Sequence, residues 1–181
     1  MAPLLAFQAV ALLASAAAAA TDIRSGRIPN WLTLPLMATA LAAHAILRGA
    51  WGATESLAGV LLCAGIPWIV FRTSGGRAIG GGDVKLFGAL GALLGPMAGL
   101  EIELGALALL LLVALVRLAF AGHLLKVLMS TLRLVKAPFF KRASNTLPVA
   151  LTEMRLGPAI AVAVATSIAS QHLGAWLPWL V

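Results

Sequence analysis

The chain has 181 residues, of which 61% are hydrophobic and 10% charged, and its formal net charge is +7. A soluble domain carries about 45–50% apolar and about 25% charged residues. Six acids cannot clothe a water-facing surface of this size, so a water-soluble enzyme is excluded.

A membrane-spanning helix needs about 20 consecutive apolar residues. The apolar runs predict six of them, over residues 2–21, 31–48, 56–72, 84–100, 104–121 and 156–177. Continuous apolarity of this kind fits helices buried in lipid and in one another. No ten-residue alternating segments point to a barrel. The expected fold is an all-α polytopic membrane bundle, a single embedded domain over residues 1–181. The first run ends in alanines, as a secretory signal does. A signal has basic residues before its apolar core; here none precedes it and Arg24 and Arg27 follow, so a retained first span is expected.

The basic residues then fall on one side. Arg24 and Arg27 follow the first span, Arg72 and Arg77 the third, and Lys126, Arg133, Lys136, Lys141, Arg142 and Arg155 separate the fifth and sixth. The other side keeps Arg48 with Glu55, Glu101 and Glu103. By the positive-inside rule this places loops 22–30, 72–83 and 122–155 in the cytoplasm and both termini outside. Topology accounts for the positive charge, and a nucleic-acid partner is not expected. Segment 122–142 reads equally as an amphipathic helix on the inner leaflet, held by anionic lipid, or as an extension of the fifth span.

Chemistry is scarce in such a chain. Its single cysteine, Cys63, rules out an internal disulfide and a paired-cysteine zinc site. His44, His123 and His172 are scattered and form no metal set, and no cofactor is expected. The chain has two aspartates, Asp22 and Asp83, both at a predicted span end on the cytoplasmic side. Ionisable groups at membrane depth are costly and are functional candidates by default. Asp22 follows an apolar span, at a helix C-terminal end where the macrodipole disfavours an acid. A loop acid paired with Arg24 or Arg27 is the bland account. Asp83 suits a helix start, yet it follows Gly80, Gly81 and Gly82, which let another chain approach closely. The phosphate-cradling pattern with Lys-Ser/Thr after the glycine is absent.

Two carboxylates held together need not both ionise. Like charge and a partly dry setting raise one pKa, and the pair titrates as a unit. The charged member can take a proton from water while the neutral one bonds a scissile carbonyl. A non-enzymatic scaffold needs no such pair. A proton-coupled transporter places its acids near the midplane, not at span ends.

The segment Asp22-Ile23-Arg24-Ser25-Gly26-Arg27-Ile28-Pro29-Asn30 resembles the first catalytic segment of bacterial type IV prepilin peptidases. Gly80-Gly81-Gly82-Asp83-Val84-Lys85-Leu86 resembles their GxGD segment. The resemblance covers chiefly residues 1–95. It implies that Asp22 and Asp83 are the catalytic pair and that loops 22–30 and 76–83 meet. It implies a bacterial inner-membrane enzyme facing the cytoplasm. Its substrate is a prepilin precursor whose short basic leader, cut after glycine, precedes a hydrophobic helix lying in the bilayer. Presenilin-type proteases share the GxGD aspartate but need a Tyr-Asp pair, and the chain has no tyrosine. Larger prepilin peptidases carry paired CxxC motifs and methylate the new N-terminus. The chain looks like the short, peptidase-only form that serves Flp/Tad-type pili, and methyl transfer is not expected.

Pro29 and Asn30 open the second span and could also shape a substrate groove. Lys85 could tune the pair, though snorkelling to headgroups is the simpler expectation. Glu153, the only other acid on the cytoplasmic side, sits near Arg155 and reads as a surface residue.

Overall fold

The computed structural model describes residues 2–120 and 155–176. Segment 122–142, His123 and Glu153 lie outside the described residues. Five helices and no strand occur among those described: α1 Ala2–Ser25, α2 Asn30–Ser74, α3 Gly81–Leu94, α4 Pro96–Phe120 and α5 Leu156–Trp176. The all-α expectation holds. Three helices, α1, α2 and α4, are long and apolar enough to cross a membrane.

The helix breaks fall at glycines. Gly26, Gly49, Gly75 and Gly95 all have positive φ, which costs a residue with a Cβ. Gly49 matters most. It interrupts α2 with φ 64° and ψ −152°. A Cβ on Gly52 would overlap the carbonyl oxygen of His44, eight residues back. Eight residues of straight helix would separate these positions by about 12 Å. The chain therefore reverses here, and α2 is two legs, matching the predicted second and third spans. Gly95, with φ 88°, makes the next reversal, because a Cβ on Gly99 would lie 2.8 Å from Cα of Gly91.

That second reversal corrects the expected boundaries. The fourth span ends at Leu94 rather than residue 100, and the next helix starts at Pro96 rather than 104. Proline at the first helical position loses no hydrogen bond and has its φ preset. Glu101 and Glu103 consequently lie within α4, not in a loop. Glu103 is buried, and its Oε2 has no hydrogen-bond partner among the described residues.

The chain divides into two compact units, residues 1–107 with 155–181, and residues 108–154. In the second unit, the described residues are the C-terminal part of α4, a continuous helix to Phe120. The first unit is held by small-residue contact. A Cβ on Gly59 of α2 would overlap the carbonyl oxygen of Gly91 of α3, so the two backbones touch. Spanning helices associate through such close approach because lipid gives no hydrophobic drive between them. The last carbonyls of α3 find partners on both legs of α2. Ser56 Oγ donates to the Ala92 carbonyl at 2.7 Å, and His44 Nε2 to that of Leu93 at 3.1 Å. These bonds satisfy acceptors that a helix end leaves open. α1 packs antiparallel to α5. Gln8 Nε2 donates to Gln171 Oε1 at 2.9 Å near one end, and Asp22 meets Gly157 at the other.

Candidate active cleft

Asp22 lies in the last turn of α1 and is buried, 7% exposed. It is helical rather than a loop acid, and it pairs with neither Arg24 nor Arg27. The only ion pair among the described residues is Arg48–Glu55. Its partner comes from α5: the Gly157 N–H donates to Asp22 Oδ2 at 3.0 Å. The first amides of a helix have no internal acceptor, so a carboxylate from another helix caps α5 here. Arg155 completes the junction. Its Nη1 donates to the carbonyls of Asp22 and Ile23 at the end of α1. A cation suits that end of a helix dipole. Arg155 is exposed, yet it is thus part of the site's frame.

Asp83 lies in the first turn of α3, just before the apolar run that opens at Val84. Its Oδ2 accepts the Gly80 N–H at 3.1 Å. Burial, then the charge of Asp22, push its carboxyl from the usual 3.8 up to about 6, against the lowering effect of the Gly80 bond. Burial and like charge both penalise the ionised form.

The two acids line one cleft of about 360 Å³, with Gly26, Arg27, Ile28, Gly80, Gly81, Gly82 and Lys85. The glycines have a packing reason. A Cβ on Gly82 would lie 3.0 Å from Ile28 Cβ and 3.1 Å from its carbonyl oxygen, so a side chain there would press on the α1–α2 connection. Gly80 is similarly constrained by Asp83, whose Oδ2 lies 2.9 Å from where its Cβ would be. The expected meeting of the two segments is therefore seen, with 22–30 and 76–83 sharing walls.

Lys85 has a protein partner at the start of α2. Its Nζ donates to Asn30 Oδ1 at 2.7 Å, tying α3 to the first residue of α2. Pro29 is the residue before α2, extended at φ −75° and ψ 144°, and its carbonyl accepts from Leu32 and Thr33. Pro29 and Asn30 line an adjoining pocket with Thr21, Ser25, Arg27, Ile28 and Trp31. No cluster of three His, Cys, Asp or Glu residues that could hold a metal occurs among the described residues.

A helical membrane protein with a cleft built on two aspartates is the class defined by this fold and site. Residues 9–132 match the type IV leader peptidase family, and the chain belongs to it. The family implies a membrane peptidase of the leader-cleaving kind. No curated protein and no solved structure gives a significant match. Arg155 and Gly157 lie beyond the matched residues.

Proposed function

We propose that the chain is an aspartyl endopeptidase of the bacterial inner membrane that removes short basic leaders from prepilin precursors at the cytoplasmic face. The observation that carries the reading is the shared cleft of Asp22 and Asp83, with Asp83 pushed up to about 6 partly by the charge of Asp22.

In this reading Asp22 is the charged member, facing a helix N-terminal amide, and Asp83 carries the proton. Water adds to the scissile carbonyl, giving its proton to Asp22 as Asp83 protonates the carbonyl oxygen. The tetrahedral intermediate then collapses. Asp22 passes its proton to the leaving amine, and the new carboxyl's hydroxyl proton returns to Asp83. No covalent enzyme intermediate forms. Gly80, Gly81 and Gly82 keep the cleft wall low so that substrate backbone can approach. Pro29, Asn30 and Lys85 hold the facing wall. The basic loops orient the cleft to the cytoplasm, and the short form suits Flp/Tad-type precursors.

The test is co-expression with a candidate precursor, following its size on a gel. Wild type is expected to shorten it. Asp22→Asn and Asp83→Asn are expected to leave it intact while accumulating in the membrane. Cleavage that survives both changes would falsify the assignment.

A further inference from the structure

A third hollow lies next to the two at the site. It is about 370 Å³ and runs along the outer faces of α1 and the first leg of α2, between Val10, Ala14 and Ala17 on one side and Trp31, Pro35 and Thr39 on the other. Its walls are apolar, and two of them are conspicuous: Leu13 is 73% exposed and Trp31 69% exposed. Trp31 also lines the pocket of Pro29 and Asn30, and that pocket shares Arg27 and Ile28 with the aspartate cleft. The three hollows therefore form one path. It runs from the lipid-facing flank of two spanning helices, past the start of α2, to Asp22 and Asp83.

We infer that this α1–α2 groove is the docking site for the apolar segment of the substrate, seated directly after the bond that the aspartates cut. The inference rests on the proposed function. A chain whose scissile bond lies in the cleft is led by the shared walls to Trp31 and into the groove. Only a segment of lipid-like character can remain there, because a polar one would lose its hydration without gaining partners. Val10 to Ala17 spans about 11 Å of helix axis, enough to hold two turns of an apolar helix. The small residues Ala14 and Ala17 form a floor on which a helix can come close. Thr39 offers no competing polar group, since its Oγ1 is bonded to the Pro35 carbonyl at 2.8 Å. Recognition is then divided between two media. The leader and scissile bond are read in the polar cleft, and the following helix in the bilayer.

The test is cysteine cross-linking in native membranes, in a Cys63→Ala, Asp83→Asn background that holds substrate uncut. The probe is a leader-bearing precursor with one cysteine in the apolar segment after the cleavage point. Leu13→Cys and Thr39→Cys are compared with Leu61→Cys, an exposed position on the other leg of α2. Wild-type enzyme is assayed in parallel on the same precursor. At least five-fold more adduct from positions 13 and 39 than from 61, with wild type cutting the precursor, is the expected result. If wild type cuts but adducts are absent or equal at all three positions, the groove holds only lipid and the inference falls while the peptidase reading stands. If wild type leaves the precursor whole, the proposed function fails and the inference goes with it.

Discussion

The Gly157 N–H donates to Asp22 Oδ2 across 135 residues of sequence, and no side chain larger than hydrogen fits at 157 without moving the aspartate. A Cβ there would lie 2.8 Å from both Cβ and Oδ2 of Asp22. The bond makes one carboxylate serve two purposes, capping α5 and facing the cleft. Gly157→Ala is therefore expected to reduce precursor cleavage at least ten-fold, a loss of about 1.4 kcal/mol in transition-state stabilisation. Membrane accumulation should fall little, because the displacement is local. Initial cleavage rates in membranes normalised to enzyme content decide it; a rate within two-fold of wild type would show that the junction does not position Asp22.

Arg155 offers an independent check on the same junction. Its guanidinium holds the final carbonyls of α1 rather than a carboxylate. Arg155→Ala is expected to slow cleavage several-fold, and Arg155→Lys to restore much of the rate, since a single nitrogen, Nη1, meets both carbonyls and an ammonium also carries several donors. Full activity in the alanine variant would contradict this.

The pH dependence follows from Asp83. Its carboxyl titrates at about 6 in the folded protein, against 3.8 ordinarily. Catalysis as proposed needs it protonated with Asp22 charged, so kcat/KM should fall as pH rises through about 6. The stability linkage has the same sign. Between the two values the folded state holds the extra proton, so stability is full below about 4 and declines as pH rises through about 6. Asp83→Asn removes that penalty while its side-chain oxygen can still accept the Gly80 N–H. Above pH 7 it should be more stable than wild type in detergent by on the order of 1–3 kcal/mol, and so melt higher, while cutting nothing. A pH-independent rate from 5 to 8 would oppose the assignment.

Much of this site is legible in the sequence, for reasons that are local. Asp22 and Asp83 stand at the ends of apolar runs on the side marked by arginines, and turn glycines flank them; charge bias and glycine placement are properties of a linear chain. The reversal at Gly95-Pro96 is also written locally, as a glycine before a helix-starting proline. Acids more often mark loops than spans, and that tendency points the wrong way for Glu101 and Glu103, which α4 carries inside its first turns. The α5 contribution is not legible. Gly157 precedes a proline at the start of an apolar run and looks like any helix start. Its burial against Asp22 exists only once α1 and α5 pack. The same holds for Lys85 and Asn30, whose bond joins residues 55 apart in sequence.

The Lys85–Asn30 bond gives a prediction that separates positioning from charge. If its role is to tie α3 to α2, Lys85→Met and Asn30→Ala should each lower cleavage about three- to ten-fold. The double variant should do no worse than the poorer single one, because both remove the same contact. If Lys85 instead acts through its charge on Asp83, only Lys85→Met would shift the pH midpoint. Measuring pH–rate profiles for all three variants distinguishes these outcomes, and additive losses would show the two residues acting separately.

The contact between Gly59 and Gly91 bears on whether α3 can present Asp83 at all. Each residue lacks room for a methyl group: a Cβ on Gly91 would overlap the Gly59 carbonyl oxygen and lie 2.9 Å from Cys63 Cβ. The neighbours are mostly backbone, which cannot swing aside as a long side chain can. Gly59→Ala or Gly91→Ala must therefore push the second leg of α2 and α3 apart, and overpacking of this kind costs about 1–3 kcal/mol. The separation would also strain the bond from Ser56 to the Ala92 carbonyl and shift α3 relative to Ile28 at its other end. Both variants are expected to melt lower in detergent and to cut precursor more slowly. Gly65→Ala, on the same leg but with nothing within 4 Å of the added Cβ, is expected to change neither. Equal melting temperatures for Gly59→Ala, Gly65→Ala and wild type would mean that the α2–α3 contact is looser than its geometry indicates.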